Sequence, residues 1–162
     1  RSAVFNGLLT ETQKESILKE WFGAKWTDKS LYDLGIDIYV TGGGDGFSEG
    51  SVLAITLYSS LLKKYIRRDY SATGTVDFKG RIGEIGGLRE KIEGAMEAGV
   101  KKLFYPRENQ KDVDQIYRDD PELLRKIEVQ PVDNVRELLE GMLVPDDSQE
   151  LKEMEVDSVS RS

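Results

Sequence analysis

Residues 40–51, VTGGGDGFSEGS, set one serine, Ser48, between a run of glycines and the start of a long apolar helical pattern. A serine in that position can serve as a nucleophile. Backbone N–H groups in the first turn of a helix have no intrahelical partner and can receive an oxyanion, and the helix dipole favours the negative charge that develops there. The nucleophile needs a base, and the chain contains neither histidine nor cysteine. A Ser–His–Asp triad and a thiolate nucleophile are therefore excluded, and a zinc site would have to be built from oxygens alone. Hydrolytic chemistry is left to Ser, Thr, Lys, Tyr, Asp and Glu. A lysine works as base where partial burial favours its neutral form, so it should stand on a packed element. Lys91 is the candidate. It lies early in the helical stretch after IGEIGG, one residue from Ile92 and three from Leu88, at the edge of an apolar face made by Ile85, Leu88, Ile92 and Ala95. The plainer reading is a solvated helical lysine with Glu90 and Glu93 as neighbours.

The same loop admits two other readings. Strand, glycines and helix are the setting of a phosphate site. The Walker pattern requires lysine and then serine or threonine after its last glycine, whereas Gly50 is followed by Ser51 and Val52. The dinucleotide pattern requires a third glycine where Phe47 stands, and Asp45 puts a carboxylate where a phosphate would approach. The structural alternative is a surface turn with Ser48 as helix N-cap.

These residues sit in a chain of 162, a length that suits one domain with a sizeable core. Hydrophobic residues make up 38% and charged residues 33%, as in soluble globular domains. A net charge of −7 argues against general affinity for nucleic acid. No apolar run reaches the roughly 20 residues of a membrane helix, and no signal-peptide pattern opens the chain. No membrane partner is expected. The lack of cysteine fits a reducing compartment, and the expected location is cytoplasmic. The chain opens on Arg1, which reads as a trimmed or excised piece.

Several elements must position the loop and the lysine. SAVFN at 2–6 reads as a short strand, and TETQ at 10–13 has the form of a capping box ahead of a helix to Trp21 or Lys25, with Ile17, Leu18, Trp21 and Phe22 on its apolar face. GIDIYVTG at 35–42 alternates as a strand. From Ser48 a helix of about seventeen residues is predicted, mostly buried, with Val52, Ile55, Leu57, Leu61, Leu62 and Tyr65 on one broad face. SATGTVDFKGRIGEIGG reads as a hairpin turning at Lys79-Gly80. LREKIEGAMEAG is a helix closed by Gly99, and VKKLFYP is a buried strand stopped by Pro106. Two short helices follow, then the strand IEVQPV, then a helix with Asp133 as its expected N-cap. Helix and strand thus alternate at α/β intervals in the second half, ahead of an acidic tail.

The residues that could do chemistry resemble one family. DGFSEG at 45–50 resembles the D-G-P-S-A-G segment of the Lon protease proteolytic domain. ATGTVDFKGRIGEIGGLREKIEGAMEAGVKKLFYP resembles that family's T-G-E-x-x-x-x-G-x-x-x-x-I-G-G-x-x-E-K segment and its continuation, through EN at 108–109. Ser48 and Lys91 stand 43 residues apart, as in typical Lon enzymes. The resemblance runs from about residue 3 to residue 143. It implies an α/β (α+β) fold, a mixed sheet with packed helices in a single domain over 1–144. The acidic extension 145–162 would follow, with the first strands of the family domain missing. It implies Ser48 as nucleophile and Lys91 as general base. Thr73 matches a threonine that helps hold the lysine, and Asp45 an aspartate that adjusts open and closed forms of the serine loop. There are departures: Phe47 replaces a proline, Thr75 a glutamate, and Glu49 a small residue whose backbone N–H would lie near the oxyanion hole. A carboxylate at Glu49 can repel the oxyanion or favour the protonated lysine.

What the resemblance implies is a serine-type endopeptidase. It would be the proteolytic domain of an ATP-dependent Lon-type protease, or a stand-alone Lon-like enzyme, acting on unfolded or tagged proteins. Active sites would face the inside of a homohexameric ring. No cofactor is expected in this chain; ATP and magnesium belong to an upstream ATPase module. The alternative is a catalytically degenerate domain kept for ring assembly. Relatives of that kind commonly lose the serine or the lysine, and both are present here.

Overall fold

The computed structural model describes residues 7–34 and 50–145. The expected strands at 2–6 and 35–42, the glycine loop and the acidic tail lie outside them. Thr10 begins the first helix as its capping box requires: its Oγ1 accepts the Gln13 N–H at 3.2 Å, and Gln13 Oε1 accepts the Thr10 N–H at 2.9 Å. Helix α1 (Glu11–Phe22) runs into a 3-10 turn, Gly23–Asp28. Ile17 and Leu18 are buried, but Trp21 is 56% exposed, against expectation. The 3-10 turn brings Trp26 back onto the small apolar cluster of Leu9, Ile17, Leu18, Leu31 and Leu61, and Trp21 is left outside it.

Helix α2 (Gly50–Leu62) ends sooner than its apolar pattern suggests. Lys63 takes φ +52, and the Lys64 N–H returns to the Ser59 carbonyl at 3.0 Å, closing the helix in a Schellman-like cap. Tyr65 therefore falls past the helix and is exposed, and Val52 also faces outward. Ala54 and Ile55 pack on the main core, while Leu61 packs toward α1.

Strand β1 (Tyr70–Ala72) is followed by a hairpin of β2 (Thr75–Val76) and β3 (Ile82–Gly83). The turn is one residue earlier than predicted. The Gly80 N–H reaches the Asp77 carbonyl at 3.0 Å, so Phe78 and Lys79 are its central residues. Asp77 Oδ1 accepts the N–H groups of Lys79 and Arg81. These bonds, the Arg81 amide first, hold its carboxyl below the usual carboxylate range. Helix α3 (Leu88–Glu97) is closed by Gly99 at φ +80, as expected. Then come β4 (Lys102–Pro106), α4 (Gln110–Asp119), α5 (Pro121–Lys126), β5 (Glu128–Val132) and α6 (Val135–Met142). The cap of α6 is Asn134, not Asp133: Asn134 Oδ1 accepts the Glu137 N–H at 2.9 Å, while the Asp133 carboxylate accepts from Arg107 Nε at 2.8 Å.

Among the described residues, β1, β4 and β5 form a parallel sheet with β4 in the middle, paired Ala72 to Phe104 and Phe104 to Gln130. Alternation along β4 sends Phe104 to one face and Leu103 and Tyr105 to the other. The first face carries α2 and α6 over Ala54, Ile55, Phe104, Leu138 and Met142. The second carries α3, α4 and α5 over Leu88, Ile92, Leu103, Tyr105 and Ile116. A sheet covered on both sides by helices is the mixed α/β, single-domain fold expected from the sequence.

Candidate active site

Two elements matter here: the start of α2, just after Ser48 in the chain, and the first turn of α3, which carries Lys91. Ser48, Asp45 and Glu49 themselves lie outside the described residues. The start of α2 is pinned. The Ser51 N–H donates to the Gly74 carbonyl at 3.0 Å, and a methyl added to Gly50 would stand 3.1 Å from the Val76 backbone nitrogen. Helix α2 thus abuts the chain between β1 and β2. One consequence is chemical: the Ser51 N–H is already taken and is not available to an oxyanion.

Gly50 makes this close approach possible, and Gly74 has its own reason to lack a side chain. A Cβ there would meet Ile82 Cγ2 at 2.5 Å, and its φ of +150° is one that L side chains rarely adopt. Its neighbour Thr73 is buried, and the Thr73 N–H continues the β1–β4 pairing by donating to the Phe104 carbonyl at 2.9 Å. Thr73 therefore stands at the end of β1, next to the residue that receives the start of α2.

Lys91 lies in the first turn of α3, its N–H donating to the Gly87 carbonyl at 3.1 Å. It is half-buried, flanked by fully buried Leu88 and Ile92, as the apolar spacing predicts. The loop leading into α3 is clamped from the segment after β4. Asn109, fully buried, accepts the Ile85 N–H on Oδ1 at 3.0 Å and donates from Nδ2 to the Ile85 carbonyl at 2.8 Å. Glu108 Oε2 accepts the Glu84 N–H at 2.9 Å, and Lys111 pairs with Glu84 at 2.7 Å, which raises the lysine above its ordinary range. Burial pushes the neighbouring Tyr105 phenol up. The sequence reading missed Asn109 and Ser51. The only trace of the first was the EN that continues the family motif; the second is an ordinary helical serine until its burial is known.

The family profile of the Lon protease (S16) C-terminal proteolytic domain matches residues 13–145. The chain belongs to this family. It is 34% identical to an archaeal Lon protease of Pyrococcus abyssi over 158 residues, covering 93% of this chain and 15% of that protein. It is 35% identical to an archaeal Lon protease of Thermococcus kodakarensis over 144 residues, 85% of this chain and 22% of that protein. With a Lon protease of Rickettsia bellii it shares 34% over 149 residues, 85% of this chain and 19% of the relative. The chain thus spans about a fifth or less of these Lon relatives. Among the described residues no helix is long and apolar enough to cross a membrane.

Proposed function

We propose that this Lon-type domain is a serine endopeptidase that works with Ser48 as nucleophile and Lys91 as general base. The observation that carries the reading is the Ser51–Gly74 bond, which docks the start of α2 beside Thr73 at the end of β1. Connectivity alone keeps Ser48 within about 7 Å of Gly50. Lys91 is set on the packed edge of α3, and the chain offers no histidine or cysteine to take either role.

In the proposed reaction the Ser48 hydroxyl attacks the peptide carbonyl and its proton passes to the Lys91 amine. The tetrahedral intermediate then collapses, the C–N bond breaks, and Lys91 returns the proton to the leaving amine. Water attacks the acyl-enzyme, Lys91 takes one of its protons, and Ser48 recovers its hydrogen as the acid is released. Substrates are unfolded or tagged proteins, delivered by an ATPase module that uses ATP and magnesium, to a homohexameric ring in the cytoplasm. Asp45 and Thr73 support the dyad, and Glu49 supports it through its backbone N–H near the oxyanion hole, while its carboxylate works against it.

The test is cleavage of an unfolded protein by the chain and by Ser48→Ala and Lys91→Ala, each also treated with a peptide boronate. Both variants should lose activity by at least about a thousandfold, and the unaltered chain should be trapped by the boronate. Negligible cleavage by all three without an adduct would instead support the assembly module, a reading that Phe47 and Glu49 favour.

A further inference from the structure

We infer that Asn109 is a positioning residue for Lys91, an inference that rests on the proposed role of Lys91 as base. One fully buried side-chain amide satisfies both backbone groups of Ile85, at 3.0 and 2.8 Å, across 24 residues of sequence. Its orientation is fixed by a third bond, Nδ2 to Asp112 Oδ2 at 2.6 Å. An amide that donates to a carbonyl and accepts from the same residue's N–H can be bound in only one sense, so Ile85 is held in one place rather than merely buried. Three residues after Ile85 the chain enters α3, and Lys91 is in its first turn. Between them stand Gly86 and Gly87, which bring no side chain to anchor the link. The Ile85 clamp therefore sets where α3 begins and where the Lys91 amine is carried. Glu108 and Lys111 grip Glu84 from the same segment, so the lysine helix is registered against the end of β4 rather than by its own loop.

A merely structural amide would affect stability alone. A positioning one affects turnover, because a displacement of about 1 Å can cost about a hundredfold in rate. The variants are Asn109→Asp and the swap Asn109→Asp with Asp112→Asn. The first keeps the acceptor for the Ile85 N–H and turns a carboxylate toward the Ile85 carbonyl and Asp112. The swap restores an amide–carboxylate bond between 109 and 112, in reverse, yet leaves the Ile85 carbonyl without its donor. Both are measured for kcat and KM on a fluorogenic peptide, for the rate of capture by a peptide boronate, and for the urea midpoint. The expected result is that Asn109→Asp lowers kcat and boronate capture about 10- to 100-fold with KM within about twofold, and that the swap recovers part of the midpoint but none of kcat. Recovery of kcat in step with the midpoint would overturn the inference. If neither variant folds, hydrogen exchange of the unaltered chain decides: the Ile85 amide should exchange only with global unfolding, and exchange as fast as at the chain ends would overturn it. Lys91→Ala separates the two readings. Full activity in that variant removes the proposed base itself; lost activity there, with normal kcat in the Asn109 variants, removes only the positioning role.

Discussion

Ser51 is fully buried, and its Oγ has no hydrogen-bond partner among the described residues. A buried hydroxyl left unpaired costs about 1–3 kcal/mol, whereas alanine at the same place adds nothing that needs a partner and is a better helix former. Ser51→Ala should therefore leave stability unchanged or raise it by about 1 kcal/mol in urea unfolding. A loss of more than about 1 kcal/mol would mean that the hydroxyl has a partner in solution. This prediction could not be made from the sequence, where Ser51 reads as one more small residue in a glycine-rich stretch. Lys91 stands out there as a candidate because the absence of histidine and cysteine leaves few bases, and its half-buried place beside Leu88 and Ile92 follows from local spacing. Asn109 could not, since its partner, Ile85, lies 24 residues away and no local pattern tells an asparagine that faces solvent from one that clamps a distant loop.

Elements were legible where their signals are local. The Thr10–Gln13 box and the Gly99 cap depend on residues within one turn, and both are present as read. The end of α2 was not, because a lysine, Lys63, takes the left-handed conformation usually left to glycine. Asp133 and Asn134 are both good caps; which one serves is decided by Arg107, which binds the aspartate from the far end of β4. The same tension between local and distant terms gives a prediction for α6. Gly141 lies inside that helix, and by propensity alone Gly141→Ala should stabilise by about 1 kcal/mol. A Cβ at that position, however, would come within 2.6 Å of Phe104 Cζ, in a ring that is fully buried at the centre of the sheet. Overpacking a rigid core costs roughly 1–3 kcal/mol, so contact should outweigh propensity and the variant should unfold at lower denaturant. A stabilised Gly141→Ala would show that the ring yields.

At the scale of the molecule, apolar burial falls into unequal parts. The two faces of the parallel sheet share β4 as their common floor, so the cluster of Phe104, Leu138 and Met142 and that of Leu103, Ile92 and Ile116 are tied together through one strand. The third cluster, around Ile17, Leu18, Leu31 and Leu61, includes no strand residue among the described residues. Among the described residues it meets the rest through α2 and through the segment before α1, where Leu8 packs on the main core and Arg136 donates to the Gly7 carbonyl at 3.1 Å; an exposed ion pair of Lys63 with Glu20 at 2.7 Å adds little because it is solvated. Elements with less buried apolar surface open at lower free energy than a covered central strand. The chain carries a convenient reporter of this difference. Its two tryptophans, Trp21 and Trp26, both belong to α1 and the 3-10 turn after it, so intrinsic tryptophan fluorescence reads the third cluster while far-UV circular dichroism reads the whole. In urea the fluorescence transition should come first, at a lower midpoint than the dichroism, with the sheet and its helices still in place. Coincident midpoints by the two probes would mean that α1 unfolds with the sheet as one cooperative unit, and that α2 couples the layers more tightly than its packing alone suggests.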